Sequence, residues 1–154
     1  MNSGRAAALR YHSDDIAQLD LMGYLERNES RFFRAGSYDA IELAGMIATE
    51  ALTLGARKVH IQSDGEWLTV AADQDWLADQ EYEAFHAITP FPQAGPNSML
   101  AEILTFAFSA GVITATREEF KVIKGETTAP THRVDRDIAR TVSFKRQRGS
   151  RLAE

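Results

Sequence analysis

Hydrophobic and polar positions recur along this chain with two different periods, and each change of period marks an element. Ile16, Leu19, Leu21, Met22 and Leu25 follow Asp14-Asp15, the pattern of a capped first helix. Arg27–Arg34 breaks that pattern and reads as a loop holding a buried Phe32-Phe33 pair. A longer helix is predicted to run to about Leu54, capped by Ser37 or Asp39 and stopped by Gly55. Its apolar stripe reads as Ile41, Ala44, Ala48, Ala51 and Leu52. Lys58–Gln62 alternates, Asp64-Gly65 signals a tight turn, and Trp67–Ala71 alternates again, which together predict a β-hairpin. Asp73–Gln93 is irregular and acidic, with a helical turn around Asp79–Phe85 and with Pro90 and Pro92 barring one continuous helix.

Pro96-Asn97-Ser98 launches a second long helix, Met99–Ser109, ended by Gly111. Strands are predicted at Val112–Thr116, at Glu119–Ile123 and, after the polar stretch Gly125–Ala139, at Thr141–Lys145. Strand pairs without regular βαβ alternation define a two-layer α+β sandwich.

Composition narrows the function classes. A chain of 154 residues, 44% hydrophobic and 25% charged, has the make-up of one globular domain. The absence of cysteine excludes a disulfide framework, a thiol nucleophile and a Cys-based zinc or iron–sulfur site. The most apolar run, Leu100–Ala110, is interrupted by Glu102, Thr105 and Ser109, so no membrane span is expected. Met1-Asn-Ser-Gly-Arg has no apolar segment behind its arginine, so a cytoplasmic protein without a secretory leader is expected.

The net charge of −5 is unevenly placed. Arg133, Arg136, Arg140, Lys145, Arg146, Arg148 and Arg151 make the C-terminal part basic against an acidic body. Such a tail is either a solvated terminus or a phosphate-neutralising one; the solvated reading makes nucleic acid an unexpected partner. His12, His60, His86 and His132 lack metal-ligand spacing, and no Walker loop or Gly-x-Ser-x-Gly elbow is present, so neither metal nor cofactor is expected. The organisation expected is a flexible N-terminus at 1–12, one domain at 13–145 and a basic flexible tail at 146–154.

The order of elements, with local sequence, resembles the N-terminal ATP-binding domain of the gyrase B ATPases and its GHKL relatives among topoisomerase, chaperone and mismatch-repair ATPases. The likeness runs from about Leu19 to Phe144. It is carried by Leu25-Glu-Arg-Asn-Glu-Ser-Arg-Phe-Phe, Thr49-Glu-Ala-Leu, Gly55-Ala-Arg-Lys-Val-His-Ile, Trp67-Leu-Thr-Val, Phe106-Ala-Phe-Ser, Phe120-Lys-Val-Ile-Lys-Gly and Thr141-Val-Ser-Phe. The resemblance implies a Bergerat/GHKL-type fold, a mixed sheet with helices on one face.

Against that family pattern the catalytic motifs are degenerate. Where the family helix carries a water-activating Glu and a magnesium-holding Asn, this chain has Glu42 and Met46, and a thioether cannot replace an amide oxygen on a hard cation. The adenine-reading Asp aligns with Ala72, or with Asp73 after a one-residue slip. Gln74 and Trp76 stand at the glycine positions. The glycine-rich phosphate loop reads Ala94-Gly95-Pro96-Asn97-Ser98-Met99-Leu100-Ala101, with only Gly95 kept. Phosphoryl transfer needs all three parts, so an Mg-ATPase is not expected.

What remains is a small, largely apolar organic ligand in the former nucleotide cavity, lined by Met46, Trp76, Phe85, His86, Phe91 and Met99. Glu42 and Asp73 are the candidate acid–base groups. Two forms of this reading stand: a binding protein conferring self-resistance, and a cofactor-free conversion in a specialised pathway. The alternative is a non-catalytic immunity or regulatory factor that mimics part of gyrase and contacts a protein partner. Nothing in the pattern sets the oligomeric state.

Overall fold

The computed structural model describes residues 13–125 and 136–151. The expected flexible N-terminus at 1–12 and most of the polar stretch after Gly125 lie outside them. The chain forms helix α1 (Ser13–Arg27), a single turn α2 (Glu29–Phe32), helix α3 (Ala40–Thr53), and the hairpin β1 (Val59–Asp64) and β2 (Trp67–Ala72). Then come α4 (Glu81–His86), a 3-10 turn (Pro92–Ala94), α5 (Glu102–Phe108), β3 (Val112–Thr116), β4 (Phe120–Lys124) and β5 (Arg140–Lys145).

The strands form one sheet in the order β1-β2-β5-β3-β4. Every neighbouring pair is antiparallel, so the sheet is not mixed. The reason is the place of β5. β2 and β3 both run antiparallel to β5 and therefore share a direction, but β5 sits between them and takes the hydrogen bonds that would have made a parallel pair.

Leu68 opposes Phe144, which opposes Val112, while Val70 opposes Val142. By the two-residue pleat these side chains share one face with Ala72, and all of them join the helical residues in a single core. Among the described residues, the helices that join this core thus lie on that face of the sheet in an α+β domain. From α3 the core takes Ala40, Leu43, Ala44, Ile47 and Ala51. This face is rotated from the expected stripe: Ala44 and Ala51 belong to it, whereas Ile41 is 66% exposed and Leu52 51% exposed.

Local chemistry sets the ends of α3. Asp39 caps it, its carboxylate accepting the backbone N–H of Ile41 and Glu42. Gly55 follows with φ +115°, a conformation that side chains resist. The helix predicted at Met99–Ser109 is shorter, because its opening amides are drawn elsewhere. Leu100 N–H donates to the Thr89 carbonyl and Ala101 N–H to the Glu50 carboxyl, so regular helix begins only at Glu102.

The C-terminal segment is not a free tail as far as Arg151. Ala110 N–H donates to the Gln147 carbonyl and Gly149 N–H to that of Phe108. Arg148 pairs with Glu29 at 2.8 Å and Glu26 at 3.4 Å, and Arg151 reaches Glu29 at 3.3 Å. Two of the basic side chains expected to be solvated, Arg148 and Arg151, thus pair with acids of α1 and α2. Burial opposes ionisation of Glu29, but Arg148, the Tyr38 amide and Arg151 together hold its carboxyl below the usual range. Among the described residues no helix is long and apolar enough to cross a membrane.

Candidate functional site

An open groove of about 1090 Å³ lies between α3 and the segment Phe91–Ala101. Along α3 its wall comprises Ile41, Glu42, Gly45, Met46, Thr49 and Thr53, on the helix face not turned to the sheet, with the buried Glu50 at the margin between that face and the core. Phe91, Asn97, Ser98, Met99, Ala101 and Leu104 form the facing wall, and Arg31, Phe32, Arg34 and Asp39 close the end nearest the start of α3.

The structure gathers Glu42, Met46, Phe91 and Met99 of the expected site residues into this groove. It places the other four elsewhere. Phe85 is fully buried on the inner side of α4. His86 stacks between Tyr82 and Phe106, with ring centroids at 4.4 and 4.8 Å, and its burial lowers its proton affinity. Asp73, at the end of β2, accepts the backbone N–H of Arg57 at 2.9 Å and of Lys58 at 3.2 Å. These amides, that of Lys58 foremost, hold its carboxyl below the usual range.

Trp76 belongs to the core, 5% exposed, one layer behind the groove. Its indole N–H points at two carboxyls at once, Glu102 Oε2 at 2.9 Å and Glu50 Oε2 at 3.2 Å. The Glu50 Oε1 atom accepts the Ala101 amide at 2.7 Å. Glu50 and Glu102 are 2% and 0% exposed, and among the described residues no cation pairs with either. Glu102 Oε1 is buried without a hydrogen-bond partner.

Two adjacent carboxylates in so dry a site cannot both be ionised. One proton held by the Glu50–Glu102 pair relieves their mutual repulsion. Burial first, and then the neighbouring Glu102, push the Glu50 carboxyl up to about 11. The signal for this pair lay in the sequence: Glu50 stands three residues after Ile47 and seven after Leu43, on the inward register of α3. Glu102 interrupts the most apolar run of the chain.

Glu42 is also engaged, its two oxygens accepting the Arg34 amide at 3.1 and 3.3 Å. Asp39, as the cap of α3, spends its carboxylate on Ile41 and Glu42 N–H. Among the described residues, no three His, Cys, Asp or Glu side chains converge as a metal-ligand set.

Fold and groove together define an α+β domain with a five-stranded antiparallel sheet and an open recess of mixed apolar and polar lining beside α3. Comparison with protein-family profiles, with curated proteins and with solved structures finds no match to the chain.

Proposed function

We propose that this chain is a small-molecule-binding domain, a degenerate relative of the gyrase B-type ATPases whose nucleotide cavity takes a largely apolar organic ligand. The observation that carries the reading is the composition of one groove. Met46, at the position of the family's magnesium-holding Asn, faces the segment Ala94–Ala101, at the position of its phosphate loop. The groove they bound is also lined by Ile41, Phe91 and Leu104, and its three acids, Asp39, Glu42 and Glu50, already accept backbone amides. The place that the family keeps open for the nucleotide is closed from behind by Trp76 and the acid pair.

Binding is favoured over cofactor-free turnover, because Glu42 and Asp73 each spend their carboxylates on backbone amides. Neither is a base poised to take a proton from a ligand.

Gly45 supplies a clean test. It lies mid-helix on the groove wall, and a Cβ built there meets no atom within 4 Å. Gly45→Phe therefore starts its side chain in open space and directs bulk into the groove, while replacing a mid-helix glycine. In a thermal-shift screen of apolar organic compounds, saturable ligands should stabilise the wild type and lose their effect in Gly45→Phe. ATP with magnesium should stabilise neither protein. Magnesium-dependent stabilisation by ATP, or organic ligands indifferent to Gly45→Phe, overturns the proposal.

A further inference from the structure

The charges around the groove are unequally committed. Each of its three acids is already engaged: Asp39 by two amides of α3, Glu42 by the Arg34 amide, and Glu50 by Ala101, the indole and its acidic neighbour. The two cations at the same end are not. Arg31 and Arg34 are exposed, line the groove, and among the described residues their guanidinium groups make no hydrogen bond or ion pair. Each carries five N–H donors in a planar fork suited to a two-oxygen anion. They sit beside the first turn of α3, whose dipole adds positive potential at that end of the recess.

Such a pair is notable on a chain of net charge −5, whose other well-placed arginines are consumed. Arg140 is held by Asp75 and Glu81, and Arg148 by Glu26 and Glu29. Beyond the arginines the wall carries Phe32, Met46, Phe91, Met99 and Leu104, interleaved with Glu42, Thr49, Asn97 and Ser98. A molecule complementary to the groove is anionic at one end and presents an apolar body, with room for a few neutral polar contacts, along the rest.

We propose that the groove selects an amphipathic organic anion, an apolar or aromatic body bearing one carboxylate, with the carboxylate seated on Arg31 and Arg34. The inference rests on the small-molecule reading above and adds the ligand's charge, polarity and orientation to it. The apolar body then runs along α3 toward Thr49, and the acid pair behind it repels a second anionic group.

The test uses matched sets of aryl and alkyl compounds in which one body carries a carboxylate, a primary amide, an amine or a phosphate monoester. Affinities are measured on the full chain by calorimetry, at low and moderate salt. A charge-assisted contact with two guanidiniums should make the carboxylate bind at least ~10-fold more tightly than its amide. The advantage should shrink with salt and fall to within ~2-fold in Arg31→Gln/Arg34→Gln. Amide affinity should stay unchanged in that variant, since the apolar wall is intact.

An amide or amine that equals the carboxylate in the wild type overturns the inference and leaves the small-molecule reading standing. The same holds if the preference survives Arg31→Gln/Arg34→Gln. Phosphate monoesters that outrank the carboxylates reassign the anion to a phosphorylated ligand and also overturn it. Failure of every set to bind in a manner sensitive to Gly45→Phe removes both.

Discussion

Replacing Glu50 by Gln tests whether the buried acid pair holds a proton. The folded Glu50 keeps its proton at neutral pH, whereas the unfolded chain releases it near the ordinary value of 4.5. One unit of displacement is worth about 1.4 kcal/mol, so at pH 7 this mismatch costs the native state about 3 kcal/mol. The raised proton affinity means that the contribution to stability is fully present below pH 4.5 and is lost as pH rises toward about 11.

Glutamine has the shape of the protonated acid. Its carbonyl can keep the Ala101 amide and its NH2 group can supply Glu102 Oε1. Glu50→Gln should therefore match the wild type near pH 4.5, to within the difference between an acid and an amide donor. It should then gain on the wild type by about 1.4 kcal/mol per pH unit, reaching about 3 kcal/mol at pH 7. Urea unfolding followed by far-UV circular dichroism at pH 5, 6, 7 and 8 measures the difference directly, with the other titrating groups cancelling between the two proteins. A difference that stays flat across that range means that Glu50 is not protonated in the fold, and the reasoning is refuted.

Further outcomes follow from the same contacts. Trp76→Phe removes the one donor shared by both carboxyls and should cost about 2 kcal/mol in urea unfolding, with less than additive loss when combined with Glu50→Gln. Arg140 is 3% exposed, bonded to Asp75, Glu81 and Thr114, so Arg140→Met strands Asp75, leaves Glu81 only Lys121, and should destabilise by about 3 kcal/mol in the same assay. Asp39→Ala should cost about 1 kcal/mol through loss of the α3 cap, with Asp39→Asn close to wild type. Gly45→Ala should raise stability by about 0.5–1 kcal/mol, read as an increase in the urea midpoint, because a mid-helix glycine with open space above it gains from a methyl group.

Features decided within a few residues were legible. Asp39 and Gly55 bound α3, and Gly65, with φ +59°, turns the first hairpin, because capping and positive-φ turns depend on local backbone chemistry. Helix phase was harder to read. Ile41 and Leu52 are as apolar as any core residue, yet they lie off the inward register that Leu43, Ile47 and Ala51 share. Half of the candidate site was readable for the same local reason, since Glu42 and Met46 are one turn apart on one helix and Phe91 and Met99 flank one short loop. Phe85 and His86 fall on the far side of α4, an assignment that depends on which face the tertiary packing buries.

By itself the sequence determined the succession of helices and strands, the turns that join them, and the want of a cysteine- or phosphate-binding motif. These follow from periodicity, capping and residue type over short spans. Only the tertiary structure decided that β5 enters between β2 and β3, that Arg148 and Arg151 bind back to Glu26 of α1 and Glu29 of α2, and that Glu50, Trp76 and Glu102 meet in a dry core. Each of these joins partners far apart in the chain, the nearest being Thr116 and Arg140, 24 residues apart. They are selected by the burial of shared surface and by the cost of leaving buried polar atoms unmatched, which no local window contains.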